Sequence, residues 1–158
     1  MKKSGFTLVE IAVVTMIIGL LATLGALAIM KSVRNSRIKQ AQIELEMIST
    51  TVLQLAWDTG KWPNGTPRTA GGSTEIWDIS LPSCGLLDTD GNYSDWKGPY
   101  YEGEVEDPWG NSYFFDPDYR HRDKDGMMRN AVVVGSFGPN GSGRNLYDSD
   151  DIYILLDD

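Results

Sequence analysis

Two side chains that most often carry chemistry are nearly missing from this 158-residue chain. It has one cysteine, Cys84, so no internal disulfide can tie the fold. It has one histidine, His121, set among Arg120, Arg122 and Asp123 and read as a solvated loop residue rather than a base. With both solitary, no Cys–His or Ser–His–Asp set can be assembled, and an enzyme is not expected. Basic residues are scarce where most of the chain lies. Residues 58–158 hold eight Lys/Arg against nineteen Asp/Glu, a balance of −11, while residues 1–57 hold six against three. An acidic body repels phosphate backbones, which argues against nucleic acid and favours divalent cations.

Long apolar runs are also absent, with one exception. Residues 11–30, "IAVVTMIIGLLATLGALAIM", carry no charge and are long enough to cross a hydrocarbon core of about 30 Å as a helix. A cleaved secretory signal needs a shorter apolar core with a small-residue cleavage site after it. Here the small residue, Gly5, precedes the run and follows Lys2 and Lys3. Glu10 stands at the edge of the run, where a carboxylate costs on the order of 2.5–3.5 kcal/mol in lipid and so calls for a partner. Loop charge leaves the orientation open: Lys31, Arg34, Arg37 and Lys39 outnumber the leading lysine pair.

Past Met30 the apolar pattern narrows to one stripe. Ile38, Ala41, Leu45, Ile48, Val52 and Leu55 recur at spacings of three and four, one face of a helix. No Pro or Gly interrupts residues 26–57, and Gly60 is a natural stop. The pattern predicts one helix from Phe6 to Trp57, with Gly19 and Gly25 as weak points that stay helical in an isolated chain.

The remaining residues, 61–158, are rich in Gly, Pro, Asp and aromatics. Strands are predicted at 112–116, 130–137 and 151–156, with "PDYRHRDKDG" as a polar connection between the first two. The stretch 64–95 reads as loop with one short helix over Glu75–Leu81. "DTDGN" (88–92) and "DKDG" (123–126) read as turns. The fold class is therefore α+β: a long N-terminal helix whose amphipathic half packs on a small antiparallel sheet.

Several segments resemble a known family. "GFTLVE" before an apolar helix is similar to the class III signal of type IV pilins and their relatives. "WDTGKWPNG", "WKGPYYEGEVEDPWGNSYFF" and "VVVGSFGPNG…DSDDIYIL" resemble the major, G-type pseudopilin of type II secretion systems. The resemblance implies a leader, residues 1–5, cut by a prepilin peptidase after Gly5, with Phe6 becoming an N-methylated terminus. It implies that residues 6–30 form a membrane and filament-core helix, and that 31–60 continue it into the soluble domain of 61–158. Glu10 would neutralise the terminal amine of Phe6 in a neighbouring subunit. The leader would stay cytoplasmic and the acidic domain would be periplasmic, later part of a periplasmic or extracellular filament. Expected partners are other copies of the chain, the inner-membrane assembly platform and minor pseudopilins. Trp96 and Trp109 lie in family segments and are expected to pack in the core.

The resemblance also implies calcium at the C-terminal loop, "SFGPNGSGRNLYDSDDI". It is no EF-hand: with Gly141 at the invariant glycine, Ser136, Gly138 and Asn140 fall at the first ligand positions and Tyr147 at the last. By family motif, Asn140, Asp150 and Asp151 would offer side chains, and Phe137 and Ser142 carbonyls. The family has aspartate where Asn140 stands. Two other functions stay open: the major pilin of a surface type IV pilus, and a membrane-anchored enzyme or sugar-binding module. The lack of a C-terminal cysteine pair weighs against the former, and the missing nucleophile–base set against the latter.

Overall fold

The computed structural model describes residues 5–69, 72–144 and 149–156, apart from the side chains of residues 24 and 25. Three strands follow one long helix. The chain divides into two compact units, Met1–Ser36 and Arg37–Asp158.

Helix α1 runs unbroken over Leu8–Thr59, two residues later at each end than predicted. Its start is a reciprocal cap. The Glu10 carboxylate accepts from the Thr7 N–H at 2.8 Å and from the Thr7 hydroxyl at 2.9 Å, while the Glu10 N–H donates to Thr7 Oγ1 at 3.2 Å. Its end is Gly60, at φ 72°, whose N–H reaches the Ala56 carbonyl at 3.0 Å. Residues 18–26 are helical, as the sequence predicts for an isolated chain.

Within the second unit, Ala41, Leu45, Ile48, Val52 and Leu55 are buried and Ile38 is partly so. That stripe meets a three-stranded antiparallel sheet of order β1-β2-β3, formed by Phe114–Arg122, Met128–Ser136 and Ile152–Leu155. Side chains alternate across a strand, so the sheet has two apolar faces. Phe115, Val132, Val134, Tyr113 and Leu156 join the helix stripe in one core. Phe114, Val133, Tyr119 and Phe137 form a second core, with Trp77 and Tyr153 against it.

Several sequence expectations need correction. "PDYRHR" is strand: β1 continues through Arg122, and Arg120, His121 and Arg122 pair with Asn130, Arg129 and Met128. Pro117, which lacks an N–H, is accommodated by a register shift between Asp116 and Tyr119. The connection shrinks to the turn around Gly126, where Asp123 N–H meets Met127 O at 2.9 Å. His121 is thus a partly buried strand residue, its ring 6.3 Å from that of Tyr153. No helix forms over Glu75–Leu81. Ile76 instead exchanges two 2.8 Å hydrogen bonds with Phe115, and Ile79 N–H reaches Tyr113 O at 3.1 Å, so this backbone runs along the outer edge of β1. Trp96 packs on the first core, whereas Trp109 is partly buried and belongs to neither cluster.

Candidate functional site

Two regions carry the residues singled out by sequence. The first is the start of α1. Gly5 and Phe6 are exposed, and Phe6 retains 85% of its accessible surface. Residues 1–4 of the leader lie outside the described residues. From Leu8 to Met30 every described large apolar side chain is exposed. An 18-residue window of this helix has mean hydropathy 2.5 with none of it buried within the chain. The helix is long and apolar enough to cross a membrane. Glu10 has a local partner that the sequence reading missed, although "TLVE" is the cap signature Thr-x-x-Glu.

The second region follows β2. Phe137 stacks its ring on Phe114, centroids 4.5 Å apart. A 3₁₀ turn over Gly138–Asn140 ends at Gly141, φ 62°. The far limb of the loop comes back close. A Cβ on Gly138 would sit 2.2 Å from the Asp150 carbonyl oxygen, and one on Gly143 would sit 3.1 Å from Asp151 Oδ1. Asp150 receives the Asn140 N–H at 3.2 Å and its side-chain amide at 2.8 Å. Asn140 Oδ1 in turn accepts the Ser142 N–H at 2.6 Å. Asp151 Oδ2 accepts the Tyr119 hydroxyl at 3.3 Å. The structure therefore joins Asn140, Ser142 and Asp150 in one hydrogen-bonded chain and brings Asp151 beside Phe137 and Gly143. Residues 145–148, the middle of the loop, lie outside the described residues.

A layer beneath this loop was not foreseen. Asp107, buried in the "DPWGN" turn, accepts the Trp109 and Asn111 N–H groups at 3.0 and 2.9 Å and the Ser136 hydroxyl at 2.5 Å. Ser136 Oγ accepts the Gly138 N–H at 3.0 Å, and the Asn111 amide donates to Gly138 O at 3.2 Å. Two distant motifs are thereby fastened together. Their polar composition was visible, but the pairing across 29 residues had no sequence signal.

Two further features bear on ligand binding. Glu75, Asp116 and Asp118 place carboxylate oxygens within 4.8 Å of one another, brought together by the Ile76–Phe115 bridge. A cleft of about 240 Å³ is lined by Trp77, Asp78, Asn111, Phe137 and Arg144 among others. The Arg144 guanidinium lies over the Trp77 ring, 5.7 Å from its centroid. Cys84 is buried, and desolvation pushes its thiol up to about 11, which disfavours the thiolate.

Comparison with known proteins agrees with this anatomy. Residues 1–26 match the family model described as the prokaryotic N-terminal methylation motif. Over 150 residues the chain is 27% identical to type II secretion system core protein G of Xanthomonas campestris pv. campestris, covering 94% of this chain and 87% of that one. No solved structure matches. With the methylation motif, a transmembrane-capable helix and a helix-on-sheet body in one chain, the protein resembles type IV pilins and, among them, a G-type pseudopilin.

Proposed function

We propose that this chain is a structural subunit that polymerises through α1 into a type II secretion pseudopilus and supports export of folded proteins. The observation that carries the reading is the bare apolar helix. The described side chains from Leu8 to Met30 find no cover within the chain, so lipid or other copies must supply it. The near full-length likeness to a core protein G favours the pseudopilus over a surface pilus, and the likeness and the motif point to a structural subunit rather than an enzyme.

In this reading a prepilin peptidase cuts between Gly5 and Phe6 and the Phe6 amine is methylated. Before assembly the helix anchors the subunit in the inner membrane, with the acidic domain on the periplasmic side, where the assembly platform and minor pseudopilins engage it. Glu10 caps its own helix through Thr7 in the single chain. In the polymer it exchanges that role for the Phe6 amine of a neighbour, an ion pair that lowers the cost of burying either charge alone. Calcium sits in the C-terminal loop, held by Asp150, Asp151 and Asn140 with the Phe137 and Ser142 carbonyls. These are hard oxygen donors of the kind calcium takes, and the close return of Asp150 on Gly138 supports the fit. Bound calcium would supply charge neutralisation and loop closure.

The test is mass spectrometry of filaments sheared from cells that make the native protein. The expected terminus is methylated Phe6. Assembled material that begins at Met1 would overturn the processing, and cells that form no filament of this chain would overturn the polymer itself. Glu10→Ala is expected to insert into membrane normally yet to assemble poorly.

A further inference from the structure

The apolar stripe of α1 pairs off as Ile38/Ala41, Leu45/Ile48 and Val52/Leu55, spacings of three and four repeated. The same register carried one step towards the N-terminus falls on Lys31 and Arg34. Arg37 lies within the same arc of about 120°, at about 100° per residue, whereas Lys39 points elsewhere. The positions that bury apolar side chains along the rest of the helix thus turn basic at one place. Residues 31–37 are all exposed, and none of the three cations joins an ion pair among the described residues. A local rule broken without compensation in the chain marks a contact made outside it.

The acidic body offers a matching row. From Tyr101 to Asp107 packed and exposed side chains interleave, with a bend at Gly103. Tyr101 and Asp107 are buried and Val105 packs on the core, while Glu102, Glu104 and Glu106 are exposed. The segment is fastened: the Tyr101 hydroxyl donates to Glu104 O at 2.8 Å, Tyr113 N–H to Val105 O at 3.4 Å, and Glu106 bridges to Ser112. Its three carboxylates therefore stand at every second residue of one fastened stretch. The cations on the helix span about 9 Å at 1.5 Å per residue. None of the glutamates has an ion-pair partner among the described residues.

We infer that the basic face of Lys31, Arg34 and Arg37 docks on the Glu102–Glu104–Glu106 row of a second copy, and that this contact sets the register between subunits. The inference rests on the polymer reading above. Charge opposition is strongest where both rows are ordered, and it specifies partner and register more than it adds affinity.

Charge reversal in the full chain tests it, with assembly measured in cells. Lys31→Glu/Arg34→Glu/Arg37→Glu and Glu102→Lys/Glu104→Lys/Glu106→Lys should each lower filament yield by about tenfold, the scale of three exposed pairs lost together. The six-fold swap should restore it, and Lys39→Glu should have no effect. Independently, Arg34→Cys with Glu104→Cys should give an oxidised ladder of linked subunits, because the native Cys84 is buried and silent. Lys39→Cys with Glu104→Cys should give none. Normal filaments from both reversed variants, or wild-type filament yield from the Arg34→Cys/Glu104→Cys chain without a ladder, would overturn the docking and leave the polymer standing. Absence of filaments from the wild type would instead overturn the polymer, and this contact with it.

Discussion

Tyr113 and Glu44 show how one buried pair joins helix to sheet. Glu44 lies on the packed face of α1, where its carboxylate takes the Tyr113 hydroxyl on one oxygen and the Gln40 amide, at 2.9 Å, on the other. Burial, then the bond to Glu44, raises the Tyr113 pKa well above its usual value. Tyr93 is raised too, chiefly by burial, and its hydroxyl meets the Pro63 and Ser83 carbonyls at 2.7 and 2.9 Å. The unfolded chain releases these protons near pH 10, while the folded chain holds them to higher pH. The stability they confer is therefore full below about pH 10 and is lost as pH rises further. Denaturant unfolding across that range should show the loss, and a Tyr93→Phe/Tyr113→Phe double variant should flatten it. An unchanged slope would disconnect these tyrosines from alkaline unfolding. At neutral pH, Tyr113→Phe should cost about 1–3 kcal/mol, because a buried carboxylate loses a donor.

At the scale of elements, two glycines with the same left-handed backbone separate conformational cost from steric cost. Gly60 ends α1 at φ 72° with open space around its missing Cβ. Gly60→Ala should cost about 1–2 kcal/mol for that backbone conformation alone. Gly138, at φ 63°, has a backbone oxygen 2.2 Å from where a Cβ would sit. Gly138→Ala should therefore be several-fold more destabilising, since the Asp150 limb must move away. Comparing the two by chemical denaturation checks the order, and equal losses would remove the steric argument. The same contrast explains what was legible in advance. The helix, its stop and its buried stripe follow from local spacing, which sequence displays directly. The false helix at Glu75–Leu81 arose because hydrogen bonds from Ile76 to Phe115 span 39 residues and leave no local trace. Asp107 under Ser136 was invisible for the same reason. The β1 boundary erred because "PDYRHRDKDG" reads as a polar connection, yet a register shift carries the strand past Pro117.

For the whole molecule, an acidic body without disulfides must hold its last strand by other means. β3 contributes four residues, Ile152–Leu155, and among the described residues pairs with β2 alone. The loop before it gathers Asp150 and Asp151 near Asn140, so carboxylate charge concentrates where β3 begins. A cation bound there would offset that charge and fasten β3 in place. Binding to the folded state alone stabilises by RT ln(1 + [L]/Kd), about 2.7 kcal/mol when calcium is a hundredfold above Kd. The full chain in detergent should therefore melt higher in calcium than in chelator. Asp150→Ala should abolish the difference, because it removes a ligand and the partner of Asn140 together. Asn140→Ala should reduce it less, since an amide brings no net charge to the ion. Magnesium should substitute poorly, as it holds its waters and demands octahedral geometry that a loop of this kind does not impose. Equal melting of the parent in calcium and in chelator would overturn the cation and leave the loop held by the chain's own hydrogen bonds, those between Asn140 and Asp150 among them.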